Sequence, residues 1–368
     1  MTADWDSLLD STKIAHHRER IEAWERGERI APITIDMAID RSCNAACVFC
    51  AAHYQENTRE IITEDVMRRF LDDCAEIGVK GISLVSDGES TINPCFPFVI
   101  KYGKSVGIDM AVGTNAILFT RAWSEDLLEC LTYLRVNFSG GTKARYCEIM
   151  GLKPALYDKV VQNIKDMVDV KRQRGLSATI GMQMVLMPDM ADQILPFAAL
   201  GKELRTDYNV IKHCSDTPDG VLGVDYTKYI ELENLLHEAE SYSDDSYRCV
   251  VKWNKIKAGN LRNYQRCYGP PFLLQISGSG LVAPCGGLFN DRWRKMHMGN
   301  IAKESFKDIV RSDRYWEIIS HLGSDQFNAS KSCDTLCLQD LTNRALNDYV
   351  NNGKPLSPPK DLTHINFI

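Results

Sequence analysis

No apolar run in this 368-residue chain approaches the roughly 20 residues that a membrane-spanning helix needs. Its first ten residues are acidic and polar, without the charged-then-apolar order of a secretory signal. An excess of positive charge is missing too: 43 Lys and Arg stand against 49 Asp and Glu, a net charge of −6. That balance disfavours a broad nucleic-acid surface and leaves a local one open. The two basic clusters, Lys171–Arg174 and Arg292–Lys295, read most simply as solvated helix ends or loops. There is no internal repeat and no low-complexity tract. These absences leave a cytoplasmic globular chain, 44% hydrophobic and 25% charged, long enough for one large domain and a smaller one.

Cysteine, by contrast, is abundant, with 13 residues. A disulfide framework is not expected in a reducing compartment, so metal binding is the simpler use. Cys43, Cys47 and Cys50 lie within eight residues, directly after an apolar run, Ile33–Ile39, that reads as a strand. Three thiolates hold three irons of a [4Fe–4S] cube and leave the fourth open to a small molecule. A second set comprises Cys267, Cys285, Cys333 and Cys337. Between its first two members, Phe272–Ile276 and Leu281–Ala283 read as strands of a hairpin turning through Ser277-Gly278-Ser279-Gly280. The hairpin brings Cys267 and Cys285 to one end. Four thiolates suit zinc or an iron–sulfur cluster. The pair divided by a hairpin and the C-x3-C spacing of the other pair differ from the tight knuckles of structural zinc, and the upstream trio favours iron.

Taken in order, residues 1–31 read as an N-terminal helical segment ended by Gly27. Six strands follow, within 33–39, 81–86, 110–114, 134–139, 178–186 and 208–213, alternating with helical stretches. The helix after the cysteine loop has Thr63 as N-cap and Gly78 past its end; Cys74, on its apolar face, is a core residue. Alternating β and α elements imply a parallel sheet with right-handed crossovers, here an α/β partial (βα)6 barrel over residues 32–214. In such sheets the chemistry gathers at the C-terminal ends of the strands, where the cysteine loop leaves the first one. Residues 215–260 form a bridging segment with a helix near 226–242 and a candidate strand at Cys249–Trp253. Residues 261–345 form a small hairpin-plus-helix domain for the second cysteine set, and 346–368 a Pro-rich tail that packs back on the domain or orders with substrate.

Over residues 30–345 the chain resembles radical S-adenosylmethionine (SAM) enzymes, with a C-terminal part that resembles the SPASM/twitch extension. The resemblance rests on Cys43-x3-Cys47-x2-Cys50 with Phe49 before the last cysteine, Asp87-Gly88-Glu89, Thr114-Asn115-Ala116, Gly280-x4-Cys285, Met298-Gly299-Asn300-Ile301 and Cys333-x3-Cys337. It implies that Cys43, Cys47 and Cys50 bind a [4Fe–4S] cluster whose open iron is chelated by SAM. It further implies that Phe49 packs near adenine, and that Gly88 and Glu89 meet the SAM amine, with Asp87 replacing the first glycine of the family's Gly-Gly-Glu. Asn115 and Ser139 take positions near SAM, with Ala116 in place of a glycine. The remaining four cysteines imply one auxiliary [4Fe–4S] cluster. An electron donor such as flavodoxin or ferredoxin would drive reductive cleavage of SAM to a 5′-deoxyadenosyl radical, which abstracts a hydrogen atom from the substrate.

Further candidates lie at the barrel mouth. Radical SAM epimerases use a cysteine thiol to return a hydrogen atom, which singles out Cys214 after the sixth strand and Cys249 in the bridge. Lys212 is placed to act as a base or to bind a carboxylate. About thirty residues precede the barrel, where peptide-modifying members usually carry a longer leader-binding domain. A small polar substrate is therefore expected: a sugar, aminocyclitol or amino-acid conjugate, isomerised, epimerised or dehydrogenated. The rival readings are a radical isomerase of a modified nucleoside or DNA base, an enzyme modifying ribosomal peptides, and a non-enzymatic electron-transfer or zinc-scaffold protein. No membrane partner is expected.

Overall fold

The structure, a computed structural model, describes residues 11–55, 58–217, 219–259, 261–333, 337–360 and 362–368. The acidic first ten residues, Pro218 in the turn after the sixth strand, and the three residues between Cys333 and Cys337 lie outside that set.

Ten strands form one sheet: β1 (Thr34–Met37), β2 (Gly81–Leu84), β3 (Asp109–Thr114), β4 (Leu131–Asn137), β5 (Thr179–Leu186), β6 (Tyr208–His213), β7 (Arg248–Val251), β8 (Leu273–Ile276), β9 (Leu281–Ala283) and β10 (Gly299–Asn300). Their spatial order is β10-β9-β8-β1-β2-β3-β4-β5-β6-β7. From β8 through β7 every pairing is parallel, while β8–β9 and β9–β10 are antiparallel. Among the described residues no pairing joins β7 to the far edge, so the sheet stays open.

The alternation along each strand decides what faces where. Ile35 and Met37, Ile82 and Leu84, Met110 and Val112, Leu134 and Val136, and Ile180, Met182 and Met184 are fully buried in the core shared with the helices. The intervening residues make the other face polar. In register across it lie Gln275, Asp36, Ser83, Ala111, Tyr133 and Thr179. The crossover helices read as their sequences require. In Glu64–Ile77, Thr63 accepts from the Val66 N–H, Gly78 ends the helix in the left-handed region, and Met67, Phe70, Leu71 and Cys74 are buried.

The structure differs from the sequence reading in three places. Residues 248–251 are not part of a bridge between domains: β7 pairs with β6, and helix Glu233–Glu240 between them makes a further βαβ unit. The hairpin β8–β9 does not stand apart either, since β8 pairs with β1 and extends the same sheet at its other edge. Among the described residues the six expected parallel strands are thus all present, and β7 and β8 extend them to eight. Finally, Lys143–Met150 is a helix that apolar spacing did not reveal.

The C-terminal tail packs against the bottom of the sheet. The Asn366 carbonyl accepts from Thr34 Oγ1 at 2.7 Å, Asn366 Nδ2 donates to Asp109 Oδ2 at 2.7 Å, and Phe367 sets its edge on Tyr133 with centroids 5.0 Å apart. Gly81 is required there, because a Cβ would lie 2.6 Å from the Asn366 carbonyl oxygen. This seals the end of the sheet opposite the cysteine loop.

Candidate active site

The chain leaves the C-terminal end of β1 and enters the cysteine loop. Two neighbours hold that loop. The Glu89 N–H donates to the Ser42 carbonyl at 2.9 Å, and the Ala46 and Val48 N–H groups donate to the carbonyls of Met150 and Ile149 at 3.1 and 2.9 Å. Helix Lys143–Met150, missed in the sequence, is therefore the loop's backing. Gly151, at φ +63°, ends it so close to the loop that a Cβ would sit 2.6 Å from the Ala46 carbonyl oxygen. Cys43 is exposed, while Cys47 and Cys50 are half-buried. Burial pushes all three thiols up, Cys47 to about 12, and the charges of Cys50 and Cys43 add to the rise at Cys47. Mutual repulsion of this kind means that three sulfurs share one small space. Their donor chemistry suits an iron–sulfur cluster, whose iron supplies the positive charge that thiolates need here.

Around the trio, Gly88 has φ +90°, and a Cβ would collide with the backbone of Asp40 and Arg41. Only glycine lets the turn after β2 lie this close to the loop. Glu89 is 4% exposed and accepts four hydrogen bonds. Thr91 Oγ1, the Thr91 N–H and Thr114 Oγ1 donate to its Oε1 at 2.7, 3.3 and 2.7 Å, and the Asn115 N–H donates to Oε2 at 2.7 Å. So placed, Asn115 donates through Nδ2 to Asn44 Oδ1 at 2.6 Å and lies 3.9 Å from Cys43 Sγ. Ala116 follows in the left-handed region, φ +59°, where the resemblance puts a glycine. Asp87, the departure from Gly-Gly-Glu, accepts from Ser277 Oγ at 2.7 Å and the Gly278 N–H at 2.9 Å, and pairs with Arg41 Nε at 3.4 Å. It fastens the β8–β9 turn to the cysteine loop. Ser139 is fully buried, and its hydroxyl accepts from the Val185 N–H at 3.0 Å.

The four distal cysteines come together. Cys267, Cys285, Cys333 and Cys337 all line one cavity of about 250 Å³, with Lys212, Ser215, Lys255, Gln275 and Trp293. Gln339 fixes its wall by donating through Nε2 to the carbonyls of Leu273 and Pro284 at 2.6 and 2.8 Å. Asn343 Nδ2 donates to Cys267 Sγ at 3.5 Å. Burial, then Cys337 and Cys333, push the Cys267 thiol far up, and Arg262 carries positive charge beside Cys337 and Cys333. Among the described residues, no three His, Cys, Asp or Glu side chains converge as ligands of a single metal ion. Four thiols around a cavity, with cations beside them, fit an anionic cluster.

Of the hydrogen-donor candidates, Cys214 is fully buried with Sγ 3.9 Å from the Phe49 carbonyl oxygen, next to the cysteine loop. Burial, then Asp216, push its thiol up to about 12, so it stays protonated at neutral pH. Cys249 does not share that place. It is in register with Asn209, whose amide donates to the Phe197 carbonyl in the helix layer, and Cys249 packs in that same layer's core. In-register residues of a parallel pair share a face, so Cys249 faces the helix layer, on the side of the sheet opposite Lys212.

Lys212 lies on the cavity side. Burial, then Lys255 and Arg135, lower its pKa to about 7. Three inward groups escaped the sequence reading: Asp36 on β1, Arg135 on β4 and Lys252 just past β7. Burial pushes Asp36 up to about 7 and holds Lys252 well below the usual lysine range. Their signal was present as single charged residues alternating with apolar ones, in Ile35-Asp36-Met37 and Leu134-Arg135-Val136.

Residues 37–198 match the family described as the Radical SAM superfamily, and residues 267–338 match SPASM, an iron–sulfur cluster-binding domain. The chain is 22% identical to the tungsten-containing aldehyde ferredoxin oxidoreductase cofactor-modifying protein of Pyrococcus furiosus, over 76% of this chain and 81% of that protein. It is 24% identical to the AdoMet-dependent heme synthase of Methanosarcina barkeri, over 76% and 82% respectively. Among solved structures, Streptococcus suis SuiB bound to S-adenosylmethionine shares the fold with a TM-score of 0.63 at 16% identity, over 82% of this chain and 71% of that one. No helix among the described residues is long and apolar enough to cross a membrane.

Proposed function

Because the chain belongs to the radical SAM superfamily and carries a SPASM domain, we propose that it removes a hydrogen atom from a small polar substrate held between its two thiol sets. One observation carries this reading. The cavity lined by all four distal cysteines is also lined by Lys212 and Ser215 at the end of β6, and Cys214 between them lies 3.9 Å from the Phe49 carbonyl oxygen in the cysteine loop. A substrate at the end of β6 would lie beside both thiol sets, where the protein positions one C–H bond and keeps quenching groups away.

Cys43, Cys47 and Cys50 would hold the [4Fe–4S] cluster that binds SAM. When bound, SAM supplies the 5′-deoxyadenosyl radical through one-electron cleavage of its carbon–sulfur bond. The electron comes from a donor of the flavodoxin or ferredoxin kind. Gly88 lets the backbone approach, Glu89 fixes the Asn115 peptide, and Phe49 and Ser139 are the residues that would lie towards the adenosine. Cys267, Cys285, Cys333 and Cys337 hold the auxiliary cluster. The buried Cys214 thiol gives a hydrogen atom to the substrate radical, and its thiyl is restored by one electron from that donor and one proton. Such a return favours isomerisation or epimerisation; for an oxidation, the group held by the distal cysteines would supply an electron acceptor. Lys212 pairs with an acidic group of the substrate.

Modification of a peptide is the second reading. It is favoured by the shared fold of SuiB, which is also solved bound to precursor peptide SuiA, with a TM-score of 0.61. Anaerobic reconstitution distinguishes enzyme from scaffold. About eight irons per chain are expected for two cubes. Dithionite and SAM should then release 5′-deoxyadenosine, and Cys47→Ala should abolish it. Cleavage that persists in Cys47→Ala would overturn the assignment of the trio.

A further inference from the structure

The inward face of the sheet holds more positive charge than the chain neutralises. Arg135, Lys212, Lys252 and Lys255 lie within electrostatic reach of one another. Lys13 adds charge of the same sign near Lys252. Asp36 is the acid that Arg135, Lys212 and Lys252 face in common. Among the described residues no carboxylate lies within ion-pair distance of Lys212, Lys252 or Lys255, and Arg135 Nε is buried without a hydrogen-bond partner. Lys255 is 9% exposed and, like Lys212, lines the cavity.

Part of this charge has a use in the cluster site. Lys255 faces Cys337, and Arg262 faces Cys337 and Cys333, so thiolates holding a cluster would answer those two cations. Asp340, the other acid near Lys255, is already paired with Arg344 and accepts from Tyr264. Subtracting the cluster site leaves Arg135, Lys212 and Lys252 against Asp36. Burial raises the pKa of that acid towards neutrality, so its charge answers at most one of the three. Buried cations without counter-charge are costly, and they are relieved either by losing protons or by an anion in the site. A neutral sugar would leave the surplus unanswered. Two acidic groups would match it, one at the Arg135 guanidinium, which hydrogen-bonds Tyr208 and keeps its Nε unpartnered, and one between the two lysines. Leu288 and Trp293, which also line the cavity, offer apolar surface to the organic part.

We propose that the inward face of the sheet recognises a small organic substrate carrying at least two acidic oxyanion groups, carboxylate or phosphate, through Lys212, which lines the cavity, and through Arg135 and Lys252 beside it. The inference rests on the radical SAM reading and names the substrate class for it.

The test uses the anaerobically reconstituted protein with SAM bound. Citrate and pyrophosphate are titrated in separate calorimetric arms, with myo-inositol as neutral probe and spermidine as cationic probe. At least one anion should bind about tenfold more tightly than myo-inositol, and more weakly as salt is raised. Which anion prevails tells carboxylate from phosphate. Lys252→Gln should weaken that binding about tenfold, while Lys252→Arg should keep it. If Lys252→Gln does not fold, as judged by circular dichroism, Lys212→Gln is read in its place. Equal or weaker binding of both anions relative to myo-inositol would overturn the proposal, as would a folded Gln variant that binds like the wild type. Release of 5′-deoxyadenosine by the wild-type preparation is scored separately. Cleavage without anion preference defeats this inference alone, and anion preference without cleavage defeats the radical reading while supporting the inward face as an anion site.

Discussion

Glu89→Gln separates two roles for a residue that the family resemblance places beside the SAM amine. In the structure its carboxylate is engaged by the protein itself, with three donors on Oε1 and the Asn115 N–H on Oε2. Glutamine has the same shape, but one oxygen becomes an NH2 donor. Turned to keep the Oε1 set, the amide points its NH2 at the Asn115 N–H. One hydrogen bond to a charged acceptor is lost, about 1.5–3 kcal/mol, and a buried N–H is left without a partner, about 1–3 kcal/mol. Turned the other way it forfeits three bonds. At 4% exposure no water can repair either arrangement. A loss of about 3 kcal/mol is expected, together with looser SAM binding, because Asn115 also reaches Asn44 and the neighbourhood of Cys43. Urea unfolding of the cluster-free protein reads the first effect, and SAM titration of the reconstituted protein reads the second. If Glu89 served SAM alone, the variant would lose affinity and keep its stability within about 0.5 kcal/mol, and the brace argument would fail.

Asp36→Asn should change how stability depends on pH. The folded-state pKa of Asp36, about 7, lies above the ordinary value of 3.8, so the folded protein binds the extra proton in that window. Wild-type stability should therefore fall as pH rises from about 4 to 7 by up to about 4 kcal/mol relative to Asp36→Asn. His213, lowered to about 4, works in the opposite direction below pH 6.5, so the comparison is made between the two proteins at each pH. Parallel urea midpoints across the range would contradict it. Asp87→Ala should cost about 3 kcal/mol, since it removes the acceptor of Ser277 Oγ and the Gly278 N–H and the carboxylate facing Arg41 Nε. Limited proteolysis at the β8–β9 turn should quicken along with the loss. Unchanged cleavage there would show that Asp87 does not tie the turn down.

What could be read in the sequence was whatever local spacing decides. The cysteine trio after β1, the capped helix Glu64–Ile77 and the hairpin around Ser277–Gly280 each announce themselves within one short stretch of chain. What could not be read depends on partners far along the chain. β8 becomes part of the main sheet by pairing with β1, more than two hundred residues away, and no periodicity encodes that choice. Helix Lys143–Met150 has only Tyr146, Ile149 and Met150 buried, too few for an apolar stripe, and its purpose is met by its last carbonyls, which hold the cysteine loop. Asp87 looked like a defect in a glycine motif until the turn it receives was in place. The charged inward face follows the same logic. Asp36, Arg135 and Lys212 sit on three strands and Lys252 just past a fourth, spread over more than two hundred residues, and each alone reads as an ordinary polar alternation. Folded, they face one another with unequal charge. A site that a chain keeps for something outside itself is recognisable by that imbalance, because a charge meant for the fold would have found its partner within it.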